Sequence, residues 1–291
     1  KELFEQLIAG DRLALSKAIT LIESTRAEDK SDIQLLTSKA FGLHTKSTRI
    51  AITGIPGVGK STLINAIVPS FNKAGKVAVL SIDPSSSISG GSILGDKTRM
   101  QDIIHLPNVF VRPSPSRGIT GGVNAYTFNA ILLCEAAGYE TIIIETVGVG
   151  QSEIQVRNLC DFLLFVTMAS TGDELQGIKR GIMENIDGIL INKADQSTSE
   201  NILKTKNELR NALSFLAQPF KNWTPDIQSC SALDTQQVDV VMKMVIDFMN
   251  KANKSDLFNV RRNKQINQIF KSEIEAIWLS QLKSMPNYRS L

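Results

Sequence analysis

At 291 residues, with 42% hydrophobic and 21% charged side chains, the chain has material for one large α/β domain plus an appendage. A formal net charge of +3, carried by scattered basic residues, excludes the striped cationic footprint of a nucleic-acid binder, and no apolar run approaches the ~18 residues of a membrane span. Cys134, Cys160 and Cys230 stand apart in apolar surroundings, which excludes a disulfide framework; free buried thiols, no signal-peptide pattern and a cytoplasmic location are expected, and a start at Lys1 leaves room for a longer natural sequence.

Residues 1–46 read as helical. Leu3 with Leu7 and Phe4 with Ile8 repeat at four, Leu21-Ile22 continues the pattern, and Gly10-Asp11 and Asp29-Lys30-Ser31 read as breaks with N-caps. From 47 to 252 short apolar runs alternate with helical stretches, and strands are predicted at 49–53, 77–82, 141–145, 162–167, 188–192 and 227–230. That alternation predicts an α/β fold with a mostly parallel sheet covered on both faces. Beyond 252, Ile266, Phe270, Ile274, Ile277, Trp278 and Leu282 form an apolar stripe on a long helix predicted to begin past Arg261-Arg262. Such a helix either packs back on its own domain or docks a second subunit. The expected units are an N-terminal helical extension (1–46), a nucleotide-binding domain (47–252) and a C-terminal helical arm (253–291).

Gly54-Ile55-Pro56-Gly57-Val58-Gly59-Lys60-Ser61-Thr62 matches G-x-x-x-x-G-K-[ST], between a predicted strand and a predicted helix. In this motif the glycines let backbone N–H groups curl around phosphate oxygens, Lys60 bridges the β- and γ-phosphates, and the Ser61 hydroxyl ligates Mg²⁺. The following helix aims its positive end at the same anion. Carboxylates that can hold Mg²⁺ or orient an attacking water follow along the chain: Asp83 at a strand end, Asp96 in a glycine-rich stretch, and Glu145 at the end of the very apolar run 141–144. Arg117 is a candidate arginine finger. Gly148 and Gly150, beside Gln151, are hinges for a switch loop that γ-phosphate contacts could order. The polar segment 170–180 reads as a solvated loop. His44 and His105 lack metal-ligand neighbours and read as structural.

Asn192-Lys193-Ala194-Asp195 is an N-K-x-D after the apolar stretch 186–191. A carboxylate at Asp195 can accept from guanine N1–H and the N2 amino group together, whereas adenine leaves it unpaired. Asn192 and Lys193 would brace the loop and cover the base. Ser231-Ala232-Leu233, at the next strand's end, is where a backbone N–H would meet guanine O6.

Together these residues resemble the MeaB/ArgK family of G proteins, densely over 45–235 and more loosely at the helical ends. The likeness rests on Ser81-Ile82-Asp83-Pro84-Ser85-Ser86-Ser87, the stretch 90–100, Arg112-Pro113-Ser114-Pro115, the stretch 145–153 and the stretch 172–179. The resemblance implies a homodimeric GTPase of the signal-recognition/MinD-like (SIMIBI) class, with GTP or GDP as ligand and Mg²⁺ as cofactor. It implies a chaperone of adenosylcobalamin-dependent methylmalonyl-CoA mutase, or a related acyl-CoA mutase, that gates cofactor loading and protects the enzyme. By the same resemblance Ser61, Asp83, Asp96 and Glu145 are the magnesium positions. Asp173, Gln176 and Lys179 match a loop that moves onto the nucleotide when the mutase binds, with Lys179 stabilising the transition state, and the C-terminal arm dimerises.

Two other readings remain at this stage. One is a kinase or ATPase of arginine/ornithine transport, an older label on this family, against which Asp195 speaks. The other is a nucleotide-sensing dimer whose hydrolysis is incidental. A nickel-insertion metallochaperone would want clustered His or Cys ligands, which the chain lacks.

Overall fold

Neighbouring side chains on each central strand drop into two different cores, which is why the runs are apolar throughout rather than alternating. The structure, a computed structural model, describes residues 2–43, 46–83, 100–115, 122–146, 156–169, 180–216 and 223–284. Its strands are β1 (Thr48–Gly54), β2 (Val77–Asp83), β3 (Val109–Pro115), β4 (Thr141–Thr146), β5 (Phe162–Met168), β6 (Gly188–Asn192) and β7 (Asp226–Ser229). They form one sheet in the order β3-β2-β4-β1-β5-β6-β7, with every pairing parallel. Ala51, Leu80, Ile144, Phe165 and Ile191 point to one core. Ile52, Val79, Ile143, Leu164 and Leu190 point to the other.

The helices are α1 (Glu2–Ile8), α2 (Arg12–Ile22), α3 (Lys30–Phe41), α4 (Lys60–Ala74), α5 (Gln101–Ile104), α6 (Gly122–Ala136), α7 (Arg180–Met183), α8 (Ser199–Ser214), α9 (Asp239–Lys254) and α10 (Leu257–Ser284). The first core joins α1, α2, α3, α6 and α8 to the sheet, and the second joins α4 and α9. The Asp11 cap is as expected: its carboxylate accepts from the Leu13 and Ala14 N–H groups at 2.6 and 3.0 Å. Asp29 precedes α3 without capping it; its carboxylate accepts from the Ser24 hydroxyl instead.

Two further expectations change. The edge strand β3 is missed by the sequence reading because Pro113 and Pro115 interrupt its pattern. It pairs with β2 alone, so prolines that lack an N–H are tolerated there. The long C-terminal helix begins at Leu257, not past Arg261-Arg262. Those arginines sit inside it because each is paired: Arg261 with Asp187 and Arg262 with Asp161.

Both acids belong to a buried ionic network around the starts of β1, β5 and β6. Arg49 holds Glu135 through two bonds of 2.8 and 2.9 Å, and Arg157 and Arg261 share Asp187. Burial works to lower the basicity of Arg157, but Asp187 holds its pKa above the ordinary value. Arg261, buried and sharing Asp187 with Arg157, is lowered to about 10. The three cysteines are buried and unpaired with one another, and burial pushes the Cys160 and Cys230 thiols up to about 11. Among the described residues no helix is long and apolar enough to cross a membrane.

Candidate functional site

The carboxyl ends of β1, β4, β5 and β6 gather the motifs at one edge of the sheet, as an open α/β sheet requires of its ligand crevice. Gly54 ends β1 with φ 153°, and a Cβ there would lie 2.0 Å from the Val166 carbonyl oxygen of β5. Gly59 precedes α4 at φ 89°. A Cβ on it would crowd the Asn192 amide at 3.0 Å. The loop therefore needs glycine at both ends for different reasons: close approach at Gly54, a left-handed turn at Gly59. Between them Val58 is fully buried in the second core and anchors the loop, while Pro56 and Gly57 are exposed.

Lys60 opens α4 and folds back across the loop, its Nζ donating to the Gly54 and Ile55 carbonyls at 2.9 and 3.1 Å. Lys60 is only 8% exposed, and these two carbonyls take part in solvating its ammonium, as a phosphate can in their place. The first-turn N–H groups of α4 have no intrahelical acceptor and border the same loop. Thr62 is exposed on that turn.

Ser61 meets Glu145, whose place on β4 puts it beside Ile52 of β1. The Ser61 hydroxyl donates to Glu145 Oε1 at 2.7 Å, leaving the lone pairs of the hydroxyl oxygen available. Ser81 of β2 donates to the other carboxylate oxygen at 3.0 Å. A hydroxyl and a carboxylate are hard oxygen donors of the kind Mg²⁺ takes, so the residues fit that ion. Among the described residues, no three His, Cys, Asp or Glu side chains gather into a metal cluster. Asp83 ends β2 at this edge. Asp96, Gly148, Asp173, Gln176 and Lys179 lie outside the described residues, as do Arg117 and His44.

Asn192 ends β6 and is buried. Its Nδ2 donates to the Val58 carbonyl at 2.8 Å, and its Oδ1 accepts from the Ala232 N–H at 3.0 Å. One side chain therefore ties the phosphate loop to the 231–233 segment. Lys193, left-handed at φ 55°, reaches the Gly57 carbonyl with its Nζ at 2.9 Å. Asp195 stands exposed on the short 3-10 turn Ala194–Gln196, which the Ala194 N–H pins to the Cys230 carbonyl at 3.1 Å.

In the 231–233 segment each N–H has an acceptor. Ser231 donates to Gln237 Oε1 at 3.0 Å, Ala232 to Asn192, and Leu233 to the Ser231 hydroxyl at 3.3 Å. A purine oxygen would take over one of these donors, and the Leu233 bond is the longest. Sequence reasoning missed Gln237 and Ser81. A lone Gln in a polar turn gives no signal, whereas a Ser inside the apolar run 77–82 does.

A protein-family model described as "Methylmalonyl Co-A mutase-associated GTPase MeaB" matches residues 15–287. The chain is 38% identical over 278 residues to "GTPase ArgK" of Escherichia coli (strain K12), covering 95% of this chain and 84% of that protein. It is 37% identical over 303 residues to "Methylmalonic aciduria type A homolog, mitochondrial" of Caenorhabditis elegans, covering 100% of this chain and 76% of that one. Among solved structures, an LAO/AO transport system kinase superposes with a TM-score of 0.83 at 31% identity, over 98% of this chain and 86% of that chain.

Proposed function

Because the chain belongs to the MeaB family of methylmalonyl Co-A mutase-associated GTPases, we propose that its GTP hydrolysis serves an adenosylcobalamin-dependent methylmalonyl-CoA mutase or a related acyl-CoA mutase. In this reading it acts in the cytoplasm as a homodimer, gating cofactor loading and protecting the mutase. The observation that carries the proposal is the family match over residues 15–287, α10 included, rather than over the nucleotide fold alone.

The chain's own groups divide the work. The phosphate loop and Lys60 bind the triphosphate, and Asn192, Lys193 and Asp195 hold the guanine with the 231–233 segment. In the same reading Ser61 and Glu145 hold Mg²⁺, supported by the Ser61–Glu145 hydrogen bond, with Asp83 and Asp96 assigned to the site by family resemblance. That ion, when bound, neutralises charge on the β- and γ-phosphates. Hydrolysis by such a site is mostly charge stabilisation around an in-line displacement by water. We assign Lys179 to the transition-state charge, with Asp173 and Gln176 on the same responsive loop and Gly148 at the hinge of another.

The test is GTP turnover by the full chain with and without a purified adenosylcobalamin-dependent mutase. Stimulation by the mutase is expected, and Lys179→Ala is expected to remove most of it, on the order of 10³-fold if this cation acts as arginine fingers do. Turnover indifferent to the mutase would reject the partner. Undiminished stimulation in Lys179→Ala would reject only the role given to that lysine. A preference for ATP over GTP would instead favour the transport-kinase reading suggested by the solved relative.

A further inference from the structure

We propose that Ser81 is a positioning residue for Glu145, fixing that carboxylate in the geometry magnesium binding requires. The inference rests on the reading of Glu145 as a magnesium-site carboxylate. β2 and β4 run parallel with Ser81 opposite Glu145, so the two side chains leave the sheet side by side. Ser81 grips Oε2 at 3.0 Å while Ser61 grips Oε1 at 2.7 Å, so the carboxylate is held from β2 and from the start of α4 at once.

The terminal torsion of a glutamate is broad, and a donor on each oxygen removes most of that freedom. Ser81 is also out of character with its strand. Val77, Ala78, Val79 and Leu80 before it are all apolar and buried, and Ser81 itself is 4% exposed. A buried hydroxyl costs stability unless it is hydrogen-bonded, and here its acceptor is Glu145.

The experiment follows release of a fluorescent GDP analogue from the full chain, chased with unlabelled GDP, as free Mg²⁺ is raised from an EDTA baseline. Ser81→Ala is expected to need about tenfold more Mg²⁺ for half-maximal slowing of release, the usual loss when a metal ligand loses its hydrogen-bond partner. Its release in EDTA should match that of the parent chain. Ser81→Thr, which keeps the hydroxyl, is expected to restore the midpoint. Glu145→Gln supplies the reference shift. A shifted Glu145→Gln midpoint with an unshifted Ser81→Ala midpoint overturns the role of Ser81 and leaves the reading of Glu145 standing. If neither midpoint moves, the magnesium reading of Glu145 falls and this inference with it. Faster release from Ser81→Ala in EDTA alone would mark a purely structural hydroxyl and also overturn it.

Discussion

Asn192 ties the 54–62 loop to the 231–233 segment, because both ends of its amide are spent on backbone groups from different loops. Asp195, three residues on, makes no such brace among the described residues and stands exposed, as a residue reserved for a ligand would. Asp195→Asn is expected to weaken GTP binding by about 10- to 100-fold, the worth of hydrogen bonds to one charged acceptor, and to shift preference toward xanthosine triphosphate. Competition binding with the two nucleotides measures both effects; intact GTP affinity would contradict the guanine assignment. At this scale the two motifs were legible because their residue types are few and their spacing is fixed. Gln237 was not, and Ser81 was marked only as a polar residue in an apolar run, because which partner each meets depends on a turn and a strand register that no local pattern encodes.

Among the elements, α10 is rooted by charge rather than by apolar burial alone. Arg261, Arg262 and Gln265 on its first turns reach carboxylates and carbonyls at the starts of β5 and β6. Asp187 is fully buried and accepts from Arg157, Arg261 and the Leu163 N–H. Asp187→Ala removes the buried carboxylate that Arg157 and Arg261 share, and a loss of about 3–5 kcal/mol is expected. Urea unfolding of the variant against the parent chain measures it, and a loss under 1 kcal/mol would show the pair to be no more than a surface bridge. The same network explains why the helix start was misplaced. Two adjacent arginines look like a solvated boundary in sequence and become interior once acids from distant strands surround them.

For the whole molecule, the informative surface is the outer part of α10. Ile269, midway along it, is buried in the first core, but Phe270 and Trp278 are 63% and 67% exposed, with Ile274, Ile277 and Leu282 on the same stripe also exposed. The helix therefore packs back at its root and presents an apolar stripe beyond it, the arrangement a dimerisation arm needs. Phe270→Asp with Trp278→Asp is expected to convert the proposed homodimer into a monomer in sedimentation equilibrium while GDP binding persists. A parent chain that sediments as a monomer would reject the dimer. The sequence alone determined the parallel α/β fold, every described strand but β3, and the positions of the G-x-x-x-x-G-K-S and N-K-x-D motifs, because each is written in residues close together along the chain. Only the tertiary structure decided that Ser81 faces Glu145, that Asn192 joins the two loops and that charged residues root the arm. Those contacts join residues tens to more than a hundred positions apart, and sheet order, not local pattern, brings them together.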